Sequence, residues 1–161
     1  KHADLNQLVP GTNLPYVVHL SNVAMEILIA SQHSSNFDVT LAIQIALLHD
    51  SLEDTDTTFD EISSAFGKKV ADAVLALTKN NDMAKNEKMM DSLKRIKNLS
   101  KEVWAVKLAD RITNLQAPPA HWSPEKIQEY KREAVEILQC LKGGNSYLEN
   151  RLKEKIDAYA Y

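Results

Sequence analysis

The sequence contains little cysteine, glycine or proline. Its one cysteine, Cys140, cannot form an internal disulfide, which is typical of a protein kept in a reducing compartment, so we expect a cytoplasmic location. Four glycines and five prolines among 161 residues leave long stretches without helix breakers. Because apolar residues recur at helical spacing between them, the sequence predicts an all-α fold. Lys1 stands where Met would be expected, so we expect that the natural start is missing or processed.

Long apolar runs and a large excess of charge of one sign are also absent. No apolar run approaches the roughly 20 residues that a membrane-spanning helix needs, so no membrane partner is expected. A net charge of −3 without a basic stripe argues against nucleic-acid binding. The length is that of one domain over 1–161. No pattern in the sequence indicates the oligomeric state.

Capping residues, glycines and prolines divide the chain into predicted helices. Thr58 and Glu61 form a capping-box pattern, and Gly67 is a helix-ending signal. Ser123 followed by Pro124 predicts the start of a long helix. The predicted helices cover about 14–32, 39–50, 58–67, 68–77, 86–98, 101–116, 124–142 and 146–158.

The pair His49 and Asp50 ends an apolar stretch, 39–48, and is followed by Glu53 and Asp54. The stretch is apolar nearly all round, which predicts a helix buried within the domain. Buried carboxylates are costly unless they are paired or bind a metal, and negative charge at a helix C-terminus opposes the helix dipole. A bound divalent cation would offset both the cost of burying the carboxylates and their repulsion by the helix dipole. The segment therefore predicts a metal site.

Two further segments offer partners for this pair. His19 lies within the first predicted helix. At 100° per residue, Lys107, Asp110 and Asn114 share one face of a later helix, with Arg111 beside that face. This mixed nitrogen and oxygen set suits Mn²⁺ or Fe²⁺ and is acceptable to Zn²⁺, Co²⁺ or Ni²⁺. The predicted metal ligands are His19, His49, Asp50 and Asp110.

Glu53 and Asp54 lie one helical turn beyond the His-Asp pair if the helix continues, and are therefore candidates for general base or acid. The residue types alone leave simpler interpretations open. His19 could be a hydrogen-bonded core residue, and Asp110 could form an ordinary ion pair with a neighbouring base. The acidic run could be a solvated loop.

Four stretches resemble the HD-domain metal-dependent phosphohydrolases. More closely, they resemble the hydrolase domain of RelA/SpoT proteins and their small single-domain relatives. The stretches are 15–19 (Pro-Tyr-Val-Val-His), 46–55 (Ala-Leu-Leu-His-Asp-Ser-Leu-Glu-Asp-Thr), 106–114 (Val-Lys-Leu-Ala-Asp-Arg-Ile-Thr-Asn) and 128–130 (Gln-Glu-Tyr). The resemblance implies a helical bundle with a central buried helix that carries His49 and Asp50.

The resemblance also implies a chemistry for this site. It implies one Mn²⁺ held by the four ligands named above, with Glu53 and Asp54 as the catalytic acidic pair. The implied reaction removes pyrophosphate from the 3′ position of the alarmone (p)ppGpp, a small nucleotide. The candidate substrate contacts are Asn114, Tyr130, Lys79, Lys107 and Arg111. For Lys107 and Arg111, pairing with nearby acids is an equally good interpretation.

One departure from the family pattern puts the substrate in doubt. The alarmone hydrolases usually carry an Arg-Lys pair before the first histidine, whereas 6–13 contains no basic residue. Losing such contacts to a highly anionic nucleotide costs roughly 1.5–3 kcal/mol for each charged hydrogen bond. The alternatives are an HD phosphohydrolase acting on another nucleotide or small phosphate ester, and a non-catalytic nucleotide-binding module.

Overall fold

The computed structural model describes residues 1–159, and within that range it contains nine helices and no β-strand. The predicted all-α fold is therefore confirmed. The helices are α1 (Val17–Ser31), α2 (Val39–Leu48), α3 (Ser51–Asp54), α4 (Phe59–Phe66), α5 (Lys68–Leu77), α6 (Lys85–Lys97), α7 (Lys101–Asn114), α8 (Pro124–Cys140) and α9 (Ser146–Ala158). None of the helices within 1–159 is both long and apolar enough to cross a bilayer.

Most helix starts agree with the sequence-based prediction, and at four of them a side chain caps the first turn: Asp38, Thr58, Ser123 and Asn145. Thr58 and Glu61 form the predicted capping box at the start of α4. The first helix is an exception, since it begins at Val17 rather than near position 14. The backbone amide of Tyr16 donates to the carbonyl of Gln7 at 2.9 Å. The residues before Val17 are therefore held by the N-terminal segment and do not join the helix.

The predicted helix 39–50 is interrupted at the residues of interest. Helix α2 ends at Leu48, and Asp50 adopts φ −100° and ψ 1° before the single turn of α3. The Ser51 hydroxyl donates to the Leu48 carbonyl at 2.6 Å, which satisfies one of the carbonyls left free at the helix end. Asp54 still bonds through its backbone amide to the Asp50 carbonyl at 2.9 Å. His49 and Asp50 therefore occupy a sharp junction between two helices.

Helix α7 lies at the centre of the bundle and packs against α1, α2, α8 and α9. Every residue from 105 to 112 is buried, so the polar residues on this helix are buried with the apolar ones. Helix α2 packs against α1, α5 and α7, as expected for a central helix. Its predicted burial is nevertheless incomplete, because Leu47 is 43% exposed whereas Ile45 is fully buried.

Candidate metal centre and active site

Three side chains from separate helices converge at one buried point. The Nε2 atoms of His19 on α1 and His49 at the end of α2 lie 3.4 Å apart. Asp110 Oδ1, from α7, lies 3.5 Å from the first of these nitrogens and 3.7 Å from the second. All three residues are buried. Their ligand atoms all lie within 4.8 Å of one another, which is close enough for one cation to bind all three.

Hydrogen bonds on the far side of each imidazole turn the Nε2 lone pairs towards this point. His49 Nδ1 lies 2.8 Å from the Ala46 carbonyl, which only accepts, so Nδ1 carries the proton. Thr113 Oγ1 donates to the Asp110 carbonyl at 2.9 Å and lies 3.3 Å from His19 Nδ1, so it accepts from that ring. Such partners are typical around histidine ligands of metals.

Asp50 borders the same point. Its Oδ2 lies 3.0 Å from His49 Nε2 and 3.8 Å from His19 Nε2, and it accepts a hydrogen bond from the Tyr16 hydroxyl. The side chain is 23% exposed and faces a cavity, whereas Asp110 lies deeper. The four predicted ligands are therefore brought together, with three in the tightest group and Asp50 at its open side.

The electrostatics of this cluster favour a positive charge. Burial opposes protonation of His49, but hydrogen bonds and charge from Asp110 and Asp50 outweigh burial and raise its pKa to about 10. Burial alone would raise the pKa of Asp110, yet Lys107 and the two imidazoles hold that pKa well below its usual value. Two imidazoles and two carboxylates around one point are a donor set that fits a divalent metal ion.

A cavity of about 460 Å³ opens above the cluster. Small-molecule sites commonly occupy about 300–1,000 Å³, so the space is adequate for a nucleotide. Acidic and basic side chains line it in equal number, five of each. The acidic residues are Asp50, Glu53, Asp54, Asp110 and Glu133, and the basic residues are Lys79, Lys85, Lys88, Lys107 and Arg111. The formal charges of these ten side chains sum to zero, so a net positive charge that attracts a polyphosphate must come from His49 or from a bound cation.

The two candidate catalytic acids occupy the cavity wall and have different partners. Glu53 accepts from the Lys79 ammonium at 2.8 Å and from the Lys79 backbone amide at 3.2 Å. Asp54 Oδ2 accepts from the Gln7 side-chain amide at 2.8 Å. The Gln7 contact joins residues 47 positions apart in the sequence.

All five candidate substrate-contacting residues line the cavity. Lys107 Nζ lies 3.0 Å from Asp110 Oδ2, and Asn114 donates to Asp110 Oδ1 at 2.6 Å. The Arg111 guanidinium lies 4.2 Å from the centre of the Tyr130 ring. Two ion pairs engage the remaining cations of this set: Arg111 with Glu133 at 3.2 Å and Lys79 with Glu53 at 2.8 Å. For Lys107 and Arg111 the sequence left two interpretations open, and both side chains are paired with acids here.

Several residues of this site were not identified from the sequence. Tyr16 lies three residues before His19, so helical spacing next to a candidate ligand was a signal that could have identified it. Gln7 and Glu133 carried no comparable local signal, because their partners are distant in the sequence. Lys85 and Lys88 line the cavity from the first turn of α6, where the sequence shows only a polar helix start.

Comparison with known proteins identifies similar chains. The family model described as an HD domain matches residues 1–144. The guanosine-3′,5′-bis(diphosphate) 3′-pyrophosphohydrolase MESH1 of Danio rerio is 37% identical over 144 residues, which cover 87% of this chain and 78% of that protein. The MESH1 protein of Homo sapiens is 34% identical over 143 residues, with 86% and 78% covered.

A solved structure gives the same result for the fold. It is described as a metazoan orthologue of SpoT that hydrolyses ppGpp, and it superimposes with a TM-score of 0.82 at 28% sequence identity. The match covers 98% of this chain and 88% of that one. The similarity therefore extends over nearly the whole chain, including every helix that contributes to the cavity.

Proposed function

Since the chain belongs to the HD-domain family, we propose that it is a metal-dependent phosphohydrolase that releases pyrophosphate from the 3′ position of (p)ppGpp. The similar proteins from Danio rerio and Homo sapiens bear that activity in their names. One observation carries the proposal: the ligand atoms of His19, His49 and Asp110 converge at the base of a cavity whose wall holds Glu53 and Asp54.

We assign the metal to His19, His49, Asp50 and Asp110. This donor set suits Mn²⁺, and it also accepts Fe²⁺, Co²⁺, Ni²⁺ or Zn²⁺. When bound, a divalent metal supplies Lewis acidity, which withdraws electron density from a phosphoryl oxygen and makes water more acidic. The equal number of acidic and basic residues in the cavity supports a metal requirement, because a divalent ion adds two positive charges to side chains whose own charges cancel.

In this proposal Glu53 and Asp54 carry out the proton transfers. A water molecule attacks the phosphorus next to the 3′ oxygen, and the bond between that phosphorus and the 3′ oxygen breaks. One carboxylate accepts the proton from the water, and a proton is returned to the 3′ oxygen as pyrophosphate leaves. Lys79 holds Glu53 at 2.8 Å and Gln7 holds Asp54 at 2.8 Å, so both carboxylates have a defined position before substrate binds.

Asn114 and Tyr130 are the proposed contacts to the nucleotide, and Lys79, Lys107 and Arg111 the proposed contacts to phosphate. Each of these three cations has an acidic partner at 2.8–3.2 Å. Substrate phosphate must therefore compete with the protein's own carboxylates for them. This competition supports a role in which the three cations adjust the affinity for phosphate, while the metal provides most of the attraction.

A second candidate substrate class is another nucleotide or a small phosphate ester. The observation that favours it is the absence of basic residues from segment 6–13. In that segment Gln7 is bonded to Asp54, and the side chain of Leu8 is 48% exposed. The binding affinity of a substrate with fewer charges than (p)ppGpp would be reduced less by the absence of these cations. The single Cys140 supports a cytoplasmic location, and the acidic net charge supports a small-molecule partner over nucleic acid.

The direct test is hydrolysis of ppGpp by the purified chain with Mn²⁺, followed by anion-exchange chromatography of the products. Pyrophosphate release that EDTA stops and Mn²⁺ restores is the expected result. The variants Glu53→Gln and Asp54→Asn should each lower turnover by about 10²- to 10⁴-fold while Mn²⁺ still binds. Cleavage of another nucleotide but not ppGpp would favour the second candidate. A chain that binds nucleotide but no metal, and turns nothing over, would be a binding module instead.

A further inference from the structure

We infer that Gln7 is a positioning residue for Asp54. Through Gln7 the N-terminal segment, residues 1–16, acts on the reaction, although residues 6–13, where the Arg-Lys pair is expected, contain no basic residue. The inference rests on the proposed function for its consequence in turnover. The contact itself joins Gln7 Nε2 to Asp54 Oδ2 at 2.8 Å.

The orientation of the Gln7 amide is determined by a second hydrogen bond. Its oxygen, Oε1, lies 2.5 Å from Nδ1 of His2. An amide oxygen can only accept, so His2 Nδ1 donates and the amide nitrogen must face the other way. That nitrogen faces Asp54, and a carboxylate can only accept from it. The two contacts are mutually consistent, and in a flipped amide the oxygen would face the Asp54 carboxylate, which has no proton to donate.

The backbone around Gln7 is also anchored to Tyr16, the residue directly before the helix that carries His19. The Gln7 carbonyl accepts from the Tyr16 backbone amide at 2.9 Å, and the Gln7 amide donates to the His2 carbonyl at 3.2 Å. The His2 ring stacks on the Tyr16 ring with centroids 5.1 Å apart. The Tyr16 hydroxyl donates in turn to Asp50. The same segment therefore contacts a predicted metal ligand and a predicted catalytic acid.

Asp54 depends on this contact more than Glu53 depends on any one contact. Glu53 has two hydrogen bonds from Lys79, one from the ammonium and one from the backbone. Asp54 is exposed at the end of α3, and within residues 1–159 Gln7 provides its only side-chain hydrogen bond. Without Gln7 the carboxylate would rotate freely in solvent. Misplacement of a catalytic group by about 1 Å can cost about 100-fold in rate.

An amide is a donor that fixes Asp54 without adding a charge. An ammonium at the same place would attract the substrate phosphates and would also neutralise the carboxylate. Gln7 holds the oxygen while leaving its negative charge available to accept a proton. This predicts that Gln7 affects kcat and leaves KM nearly unchanged, which a phosphate-binding residue would not do.

The first experiment measures steady-state hydrolysis of ppGpp by Gln7→Leu and Gln7→Glu with saturating Mn²⁺. We expect kcat to fall by about 10- to 100-fold in both variants, with KM within about twofold of the unaltered chain. Gln139→Leu is the matched control, because Gln139 is exposed on α8 and does not line the cavity. An unchanged kcat, or a raised KM with unchanged kcat, would overturn the inference.

A second experiment separates positioning from a general loss of structure. In the Asp54→Asn background, Gln7→Leu should lower kcat by less than about twofold, because the group that Gln7 positions is already disabled. Equal effects in the two backgrounds would contradict a role that acts through Asp54.

A third measurement does not depend on turnover. The side-chain amide resonances of Gln7 can be assigned in a ¹⁵N spectrum by their loss in Gln7→Leu, and they should shift in Asp54→Asn. If the unaltered chain fails to hydrolyse ppGpp but this shift is seen, the proposed substrate is wrong and the positioning contact is retained. If ppGpp is hydrolysed and the Gln7 resonances do not respond to Asp54→Asn, the contact is wrong and the proposed function is unaffected.

Discussion

The Nε2 atoms of His19 and His49 lie 3.4 Å apart, although the two residues are 30 positions apart in the sequence. Both rings are turned so that these nitrogens face each other, because their Nδ1 atoms are engaged by Thr113 and by the Ala46 carbonyl. With Nδ1 protonated in both rings, neutral imidazoles would direct two lone pairs at one another, so a cation is required between them, either a proton on His49 or a metal ion. This relationship is the geometric basis for assigning a metal to the site.

Replacing one of these imidazoles should strongly weaken metal binding. We expect His49→Ala to weaken Mn²⁺ affinity by more than about 100-fold, since loss of even an outer-shell partner commonly costs about 10- to 100-fold. Isothermal titration of the chelator-treated chain with Mn²⁺ measures the effect. His121→Ala is the matched control, because His121 is exposed and does not line the cavity. Equal Mn²⁺ affinity in the two variants would refute the assignment.

Thr113 should affect the affinity for Mn²⁺ because it orients the ring of His19. Thr113→Val keeps the shape but removes the oxygen that accepts from His19 Nδ1 at 3.3 Å, so the ring loses its orientation. We expect about a 10-fold loss of Mn²⁺ affinity. Long-range ¹H–¹⁵N spectra should show a changed tautomer population for His19. Thr40→Val, at an exposed position of α2, should leave both measurements unchanged.

Removing the negative charge of Glu133 should increase the affinity of the site for an anionic substrate. Its carboxylate lies 3.2 Å from Arg111 Nη2 on the cavity wall, so it competes with substrate phosphate for that guanidinium. In Glu133→Gln the competing charge is removed, while Arg111 still lies 4.2 Å from the centre of the Tyr130 ring. We expect KM for ppGpp to fall by about 3- to 10-fold with kcat little changed. Glu136→Gln, an exposed acid one turn further along α8, is the control. A raised KM would indicate that Glu133 itself binds the substrate.

The packing of α2 provides a test of the fold. Ile45 is fully buried on this helix and Leu47 is 43% exposed, although both lie in the same apolar stretch. Ile45→Ala should lower the free energy of unfolding by about 2–5 kcal/mol because it leaves a cavity in the core. Leu47→Ala should change it by less than about 1 kcal/mol. Urea denaturation of both variants checks the difference, and similar losses would contradict this orientation of the helix.

Local features of the sequence predicted much of the fold. The bounds of α5, 68–77, and of α9, 146–158, agree with the prediction, and local signals mark both starts: Gly67 before α5 and the Asn145 cap before α9. The break at His49 and Asp50 was not predicted. The apolar periodicity continues to position 48, and no glycine or proline marks the turn, so the interruption has no local signal.

A metal site could also be proposed from the sequence by itself. An imidazole and carboxylates after an apolar stretch are unfavourable where they are buried without a cation, so the residue types favoured a metal while simpler interpretations stayed open. A metal ion needs several protein ligands, so His49 and Asp50 required partners elsewhere in the sequence. Histidine and aspartate residues on predicted helices were the available candidates.

Only the tertiary structure decided which polar groups meet. Gln7 reaches Asp54 across 47 positions, Lys79 reaches Glu53 across 26, and Arg111 reaches Glu133 across 22. Hydrogen bonds and ion pairs act over a few ångströms, and helix packing sets those distances through contacts that no local pattern encodes. The candidate metal ligands could therefore be proposed from what each side chain can tolerate, whereas the partner of each remaining charge depended on how the helices are arranged in space.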